Sequence, residues 1–249
     1  LFDGNESLYV DKSVKSTIVS SIGDYVDKFE YELEKYTESP KAVVTVNGTA
    51  ALHLSLLLAG VKPGDFVITQ ALTFIATCNA INYCSAKPIL IDVDIDTLGL
   101  SPSILQEWLS QNAYLDDLKQ CRTIKGNKCI KACVPMHTFG HAIKIDDLIT
   151  VCKEWNIQIV EDAAESLGSL YKDQHLGTFG KIGTLSFNGN KIITTGGGGA
   201  ILSNQTIGKK AKHLSTTAKK PHEYDYDYDE IGFNYRMPNL NAALGCAQL

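Results

Sequence analysis

The sequence lacks a long apolar run and any cysteine pair of the zinc-binding kind. Its longest apolar stretch, residues 54–60, is far shorter than the roughly 20 residues that cross a membrane, and the first residues show no basic-then-apolar signal pattern. Seven cysteines, an odd number without a Cys-x-x-Cys pair, indicate neither a disulfide framework nor a zinc ribbon. We therefore predict a cytoplasmic protein that is not inserted in a membrane, with its cysteines as reduced core residues.

An excess of positive charge is also missing. The 28 acidic side chains outnumber the 23 basic ones, for a formal net charge of −5 at pH 7. Because proteins that bind phosphate backbones usually carry a basic surface, nucleic-acid binding is not expected. With 44% hydrophobic and 20% charged residues, the 249-residue chain is close to globular averages, which excludes a disordered or fibrous chain and predicts one large domain.

Apolar runs rich in β-branched residues alternate with helical patterns along the chain. This order predicts βαβ units and a mainly parallel sheet. The seven predicted strands are 42–46, 66–69, 88–92, 129–136, 157–161, 184–187 and 200–203. The clearest predicted helices are 25–36, 49–59, 101–110, 145–155 and 207–216. A further helical pattern at 239–249 stops without a cap, so we expect a C-terminal part to follow.

The most informative segment covers residues 186–199. A predicted strand leads into an Asn-Gly turn, then a single lysine, Lys191, and the segment ends in four glycines. Glycines let a ligand approach the backbone closely, and a lysine held there can form a Schiff base with a carbonyl. A flexible turn with a solvated lysine is the alternative, and the residue order is not that of a P-loop.

A second segment is an apolar strand that ends in two acids, Glu161 and Asp162, followed by the small Ala163 and Ala164. In open α/β sheets, ligands bind outside the carboxyl ends of the strands, so Asp162 would face a crevice with room for a flat group. An aspartate there can pair with the cationic ring nitrogen of a cofactor such as pyridoxal phosphate. A helix N-cap is the alternative role for Asp162.

Two more predicted strand ends could reach the same crevice. Residues 46–52 turn through Asn47 and Gly48 into an apolar helix whose first N–H groups could bind a phosphate, although most such turns bind nothing. Residues 72–77 place Phe74 at a predicted helix start, where its ring could stack on a planar group or fill the core.

These four segments, with residues 232–241, resemble the signatures of the DegT/DnrJ/StrS sugar aminotransferases, which are pyridoxal-phosphate enzymes of the aspartate aminotransferase fold. The resemblance covers essentially the whole chain. It implies a three-layer α/β/α large domain of fold type I over residues 1–236, built on a mainly parallel seven-stranded sheet, with 1–24 as an N-terminal segment. It also implies that 237–249 begin a C-terminal small domain that is largely missing.

The resemblance assigns roles to individual residues. Lys191 matches the lysine that holds the cofactor as a Schiff base and later moves a proton between the cofactor and the sugar. Asp162 matches the partner of the ring nitrogen. The residues that match contacts to the cofactor's phosphate and ring are Gly48, Thr49, Ala50, Phe74 and Ser186.

Three residues match roles near a neighbouring subunit. Asn234 matches a residue that one subunit lends to the cofactor phosphate of the other, so the resemblance implies a homodimer with shared active sites. Arg236, in the same segment, matches a substrate or interface residue. His222 lies in a loop that the family uses near the neighbouring site and is a candidate substrate contact.

Position 165 varies within the family. Many relatives carry Gln or His there to hydrogen-bond the phenolic oxygen of the cofactor, whereas this chain has Glu165. A glutamate can donate that hydrogen bond only when it is protonated. Glutamate at this position is a feature of the branch that makes 4-amino sugars.

The same branch is indicated by residues 19–29, 188–195 and 216–222. They resemble enzymes of the legionaminic acid and bacillosamine pathways, which act on UDP-linked 4-keto-6-deoxy-N-acetylglucosamine with glutamate as amino donor. Perosamine-type synthases, which act on a GDP-linked 4-keto sugar, share much of the pattern. We therefore expect a nucleotide-sugar 4-aminotransferase for cell-surface polysaccharide or nonulosonic acid biosynthesis. A non-catalytic regulatory protein on the same scaffold stays an alternative, whereas a sugar dehydratase of this fold would carry histidine in place of Lys191.

The histidines predict no metal site. The spacing of His137 and His141 could place two ligands on one helix face, but Pro135 and Gly140 disfavour a helix there. His53, among leucines of the predicted helix 49–59, is interpreted as a packing residue.

Overall fold

The computed structural model of the chain describes residues 4–220 and 224–249. The α-helices within these ranges are α1 (Glu6–Lys15), α2 (Asp24–Thr37), α3 (Gly48–Leu58), α4 (Ile75–Tyr83), α5 (Pro102–Asn112), α6 (Ile145–Glu154), α7 (Gln205–Ser215) and α8 (Asn239–Gln248). The strands are β1 (Lys41–Thr45), β2 (Phe66–Gln70), β3 (Lys87–Ile91), β4 (Ala113–Leu115), β5 (Cys121–Thr123), β6 (Ile130–Val134), β7 (Gln158–Asp162), β8 (Leu170–Tyr171), β9 (Gln174–His175), β10 (Ile182–Ser186) and β11 (Gly199–Ser203). A short 3₁₀ helix covers Thr138–Gly140.

Seven strands form one sheet in the order β1-β11-β10-β7-β6-β2-β3. The pairs from β10 to β3 are parallel, whereas β11 is antiparallel to both of its neighbours. The carboxyl ends of six strands therefore meet at one edge of the sheet, together with the start of β11. The predicted mainly parallel, seven-stranded sheet is confirmed, and each predicted strand overlaps an observed one.

Apolar side chains on successive strand positions enter two different cores, because the side chains of a strand alternate between the faces of the sheet. In β1, Ala42 and Val44 pack with α2 and α8, whereas Val43 packs with α3 and α7. In β7, Ile159 packs with α5 and α6, whereas Val160 packs with α3 and α4. Helices thus cover both faces, as expected for the near-continuous apolar strands of parallel sheets, and the three-layer prediction is confirmed.

The end of the described chain belongs to the same core. Ala242 and Cys246 of α8 lie in one apolar cluster with Phe29 and Leu33 of α2. The helix approaches closely at Gly245, where an added Cβ atom would stand 2.6 Å from the Phe29 ring. The predicted start of a second domain at residue 237 is not tested by this packing and stays a prediction. Within the described ranges, no helix is long and apolar enough to cross a membrane.

Candidate active site

A cavity of about 280 Å³ opens at the carboxyl edge of the sheet. Its walls come from the segments that follow β1, β2, β6, β7 and β10, where the chain leaves the sheet. Six residues singled out in the sequence line it: Gly48, Thr49, Phe74, Asp162, Glu165 and Lys191. Folding therefore brings together groups that lie up to 143 positions apart in the sequence.

Lys191 is carried by the loop between β10 and β11, and α8 holds that loop in place. The side chain of Asn241 donates to the carbonyl oxygens of Thr195 and Gly197, at 2.6 and 3.2 Å. Gln248 accepts from the Thr194 N–H at 3.0 Å and donates to the Thr194 carbonyl at 2.8 Å. The glycine-rich segment is thus held by four hydrogen bonds from side chains of α8.

The last glycine of the run is needed for close backbone packing. An added Cβ at Gly199 would lie 2.7 Å from the backbone of Asn47 and Gly48. No side chain can stand at that distance, so only glycine lets the start of β11 pass against the turn into α3. The glycine run therefore joins the lysine loop to the turn that begins α3.

The amino group of Lys191 forms an ion pair inside the cavity. Its Nζ atom lies 3.0 Å from Oε1 of Glu165, and 15% of the lysine side chain is exposed. The other carboxylate oxygen of Glu165 accepts the Phe139 N–H at 3.1 Å. Both partners of Glu165 are donors, so its carboxyl group acts as an acceptor at both oxygens here.

Asp162 ends β7 and is 3% exposed. Its Oδ2 atom accepts the hydroxyl of Thr77 at 2.7 Å, and Oδ1 accepts the Ala164 N–H at 3.2 Å. Burial raises the pKa of Asp162, and the Thr77 and Ala164 hydrogen bonds and the charge of Lys191 only partly counteract this shift. A cation placed against this carboxylate would remove much of the cost of its charge.

The turn into α3 offers hydrogen-bond donors to an anion. Among the described residues, no acceptor lies opposite the backbone N–H groups of Gly48 and Thr49. The Ser186 side chain stands beside them, since an added Cβ at Gly48 would lie 3.0 Å from Ser186 Cβ and 3.2 Å from its Oγ. The N–H of Ala50 differs, because Asn47 caps the helix and accepts it at 2.8 Å. The predicted phosphate contact of Ala50 stays a prediction.

Phe74 is 70% exposed and precedes α4 at the rim of the cavity. The core-filling alternative for this ring is therefore wrong. The predicted stacking role of Phe74 stays a prediction.

The residues predicted to serve a neighbouring subunit do not line this cavity. Asn234 is exposed and its Oδ1 accepts from Arg236 Nε at 3.1 Å. Arg236 lines a separate cavity of about 340 Å³ with Lys212, Lys219 and Lys220. His222 lies outside the described residues, and the roles of all three residues stay predictions.

Two residues that hold the lining of the cavity in place were not found from the sequence. Thr77 binds Asp162, and its polar side chain in a helix gave no signal by itself. Gln70 is fully buried at the end of β2; its Nε2 donates to Thr138 Oγ1 at 3.0 Å, and its Oε1 accepts the N–H groups of Leu100 and Met136, both at 3.0 Å. A glutamine inside an apolar strand is a detectable signal for such a structural hub.

His53 and His137, two of the histidines considered in the sequence, are buried and hydrogen-bonded. His53 Nδ1 lies 3.0 Å from the hydroxyl of Tyr235, and burial lowers its pKa, which agrees with its interpretation as a packing residue. His137 is fully buried with Nε2 3.0 Å from Glu161.

The donor set of the cavity fits pyridoxal 5′-phosphate. Free N–H groups and a hydroxyl suit its phosphate, a buried carboxylate suits its basic ring nitrogen, and a lysine amine suits its aldehyde. The fold is that of pyridoxal-phosphate-dependent aminotransferases, and the cavity residues fit that cofactor. A family model for the DegT/DnrJ/EryC1/StrS aminotransferase family matches residues 2–249, and the chain belongs to this family.

The chain is also similar to individual sugar aminotransferases, in sequence and in structure. The chain is 39% identical over 248 residues to the GDP-perosamine synthase of Caulobacter vibrioides, covering 99% of this chain and 62% of the relative. It is 33% identical over 241 residues to the UDP-4-amino-4,6-dideoxy-N-acetyl-beta-L-altrosamine transaminase of Campylobacter jejuni, covering 96% and 59%. The crystal structure of NtdA from Bacillus subtilis with bound cofactor PMP superposes with a TM-score of 0.81 and 28% identity, covering 97% of this chain and 52% of that one.

The comparisons do not single out the UDP-sugar branch that the sequence segments suggested, because identity to the GDP-perosamine synthase is higher. The chain spans about three fifths of the length of the curated relatives it matches first.

Proposed function

We propose that the protein transfers an amino group from glutamate to the 4-keto carbon of a nucleotide-linked 4-keto-6-deoxy sugar, with pyridoxal phosphate as cofactor. The observation that carries the proposal is the position of Lys191 and Asp162 in one cavity with the Gly48–Thr49 amides. Family membership supports it, since the matching model describes aminotransferases.

Three groups of this chain would hold the cofactor. The N–H groups of Gly48 and Thr49 and the Ser186 hydroxyl would bind the phosphate at the start of α3, where the helix dipole favours an anion. The Asp162 carboxylate would keep the ring nitrogen protonated. Bound in this way, the cofactor supplies an electron sink for the carbon that loses or gains a proton.

Lys191 would move that proton. Its Nζ is near a second titratable group, Glu165, at 3.0 Å, so the amine can be held in the cavity and oriented between transfers. The same lysine would act as acid and base with glutamate and with the sugar, because each half of a transamination is the reverse chemistry of the other.

Glu165 would have to change its hydrogen-bonding role when the cofactor is bound. In the present structure it accepts from Lys191 and from the Phe139 N–H. Against a phenolic oxygen it would have to donate, which requires a proton on the carboxyl group.

The second cavity supports a shared site in a homodimer. Asn234 and Arg236 lie side by side, 3.1 Å apart, outside the Lys191 cavity. A residue lent to a neighbouring subunit must point away from its own site. We therefore propose that a second copy of the chain receives these residues.

The nucleotide of the sugar has two candidates. The 39% identity to a GDP-perosamine synthase favours a GDP-linked sugar, and the 33% identity to a UDP-sugar transaminase favours UDP-4-keto-6-deoxy-N-acetylglucosamine. Parallel assays of the two keto sugars with one enzyme preparation separate them by kcat/KM.

The test of the function is the absorbance spectrum of the intact protein with pyridoxal phosphate. We expect a visible band that glutamate removes and that a nucleotide-linked 4-keto sugar restores. Lys191→Ala should show neither change. A wild-type spectrum that equals that of free pyridoxal phosphate would contradict the proposal and favour a regulatory protein on this fold.

A further inference from the structure

Glu161 is a buried carboxylate next to Asp162 that the proposed reaction does not use. It is 0% exposed. Its Oε1 accepts the Gly180 N–H at 2.5 Å, and its Oε2 accepts the Gly177 N–H at 2.9 Å and lies 3.0 Å from Nε2 of His137. Because successive residues of a strand face opposite sides, Glu161 points away from the cavity that Asp162 faces.

His137 connects this carboxylate to the cavity wall. Its backbone N–H donates to the Asp162 carbonyl at 3.1 Å, and the Asp162 N–H donates to the Pro135 carbonyl at 2.9 Å. The backbone around His137 therefore brackets Asp162, while the His137 side chain is fixed to Glu161.

The residues that follow His137 are connected to Lys191 through Glu165. Thr138 and Phe139 line the cavity, and the Phe139 N–H donates to Glu165, whose other oxygen is bound by Lys191. A shift of His137 would therefore move both Asp162 and the Phe139 N–H that binds Glu165.

The hydrogen-bond partners also define the tautomer of His137. The Nε2 atom faces a carboxylate acceptor, so it carries the proton, and Nδ1 is left to accept the Ile143 N–H at 3.5 Å. A donor at Nε2 and an acceptor at Nδ1 satisfy both contacts. Glu161 then accepts hydrogen bonds from three N–H donors.

We propose that Glu161 and His137 form a positioning pair that fixes the Asp162 carboxylate and the Phe139 N–H at the cofactor cavity without touching the cofactor. The proposal rests on the proposed function only for which ligand the cavity takes. The positions of two reporter amides, the N–H groups of Phe139 and Ala164, can be tested without any ligand.

Glu161→Gln replaces one acceptor oxygen by an NH₂ group. This donor would then face a buried N–H donor with no acceptor between them. We expect the affinity for pyridoxamine 5′-phosphate, which binds without a covalent bond, to fall about ten-fold or more, because the His137 segment would shift and displace the Asp162 carboxylate and the Phe139 N–H that face the ligand. In the cofactor-free protein, hydrogen exchange should quicken at the Phe139 and Ala164 N–H groups, which donate to Glu165 and Asp162.

Glu30→Gln is the matched control. Glu30 is also a buried glutamate; it accepts the Val44 N–H at 3.0 Å and Lys212 Nζ at 2.7 Å, and it does not line the Lys191 cavity. This variant should lose stability while keeping wild-type affinity and exchange at the two reporter amides. Wild-type affinity and exchange in Glu161→Gln, or equal losses in Glu30→Gln, would overturn the proposal.

A second pair of variants decides the matter if Glu161→Gln does not fold. His137→Gln keeps an N–H donor towards Glu161, whereas His137→Leu does not. The proposal requires His137→Gln to bind pyridoxamine 5′-phosphate more tightly than His137→Leu, and equal affinities would overturn it. If the wild type itself does not bind this ligand, the proposed function fails, and the exchange rates alone decide the role of the pair.

Discussion

The last two residues of β7 carry carboxylates on opposite faces of the sheet, in very different surroundings. Glu161, on the far side from the cavity, faces three N–H donors. Asp162, on the cavity side, has one hydroxyl and one N–H, and burial raises its pKa. The first carboxylate is fully partnered within the chain, whereas the second lacks a strong cationic partner.

The different partners of the two carboxylates indicate different roles. Glu161 is stabilised by groups of the chain itself, whereas the surroundings of Asp162 favour a bound ligand. A buried carboxylate with few donors is unfavourable unless a cation meets it. A protonated ring nitrogen is such a cation. Binding it would give Asp162 a strong hydrogen-bond donor, as Glu161 already has within the chain.

The largest expected effect comes from the cavity-side cation. Lys191→Ala should lower the rate of amino transfer at least about 10²–10⁴-fold, because it removes the group proposed for proton transfer. Lys172→Ala is the control, since Lys172 pairs with Asp146 at the surface and should leave the rate unchanged. Steady-state assays with glutamate measure both, and an unchanged rate in Lys191→Ala would remove the proposed role of this lysine.

Replacing the cavity-side carboxylate is the next largest change. Asp162→Asn keeps the shape but cannot hold a proton on the ring nitrogen, so we expect amino transfer to fall about 10²–10³-fold, as for other fixed electrostatic groups. A variant that retains more than half of the wild-type kcat would show that the two faces of β7 do not differ in function.

The pH dependence of stability tests the same carboxylate without a ligand. Since the pKa of Asp162 is raised in the folded chain, the folded state binds this proton more tightly than the unfolded state does. Its contribution therefore makes the cofactor-free protein less stable as pH rises from about 4 through the folded pKa. Asp162→Asn should remove this part of the slope and be the more stable protein at neutral pH. Urea unfolding at several pH values measures the difference, and identical slopes would contradict it.

The smallest effect concerns the hydrogen bond between Thr77 and Asp162. Thr77→Val removes the donor at 2.7 Å, which should raise the pKa of Asp162 further and weaken pyridoxamine 5′-phosphate binding by about 0.5–1.5 kcal/mol. Thr123→Val, which changes a buried threonine at the end of β5, away from the cavity, is the control. Equal affinity in wild type and Thr77→Val would show that this bond does not shape the site.

The sequence predicts the sheet well because its strands are short apolar runs separated by clear helical patterns. It does not predict that β11 runs antiparallel to both neighbours, since the direction of a strand depends on where the chain returns. Helix α1 was also missed, because its polar sequence between residues 6 and 15 shows no apolar stripe to signal it.

At the site, residues with a distinctive local pattern were predictable, and residues defined by tertiary contact were not. Asp162 ends a strand and precedes two alanines, and Lys191 lies between an Asn-Gly turn and a run of four glycines, so their segments are recognisable. Phe139 comes to line the cavity, and Thr77 comes to contact Asp162, only through folding. The cap formed by Asn47 was not predicted, although an asparagine before a helix commonly accepts the N–H three residues on, which here is that of Ala50.

The most direct test of the account is the protonation state of the ring nitrogen in the bound cofactor. Nitrogen NMR of protein loaded with ring-¹⁵N-labelled pyridoxal phosphate reports it. The account predicts a protonated nitrogen in the wild type and in Glu30→Gln at neutral pH, and an unprotonated one in Asp162→Asn. An unprotonated ring nitrogen in the wild type would contradict the claim that the cavity-side carboxylate of β7 is built to meet a cation.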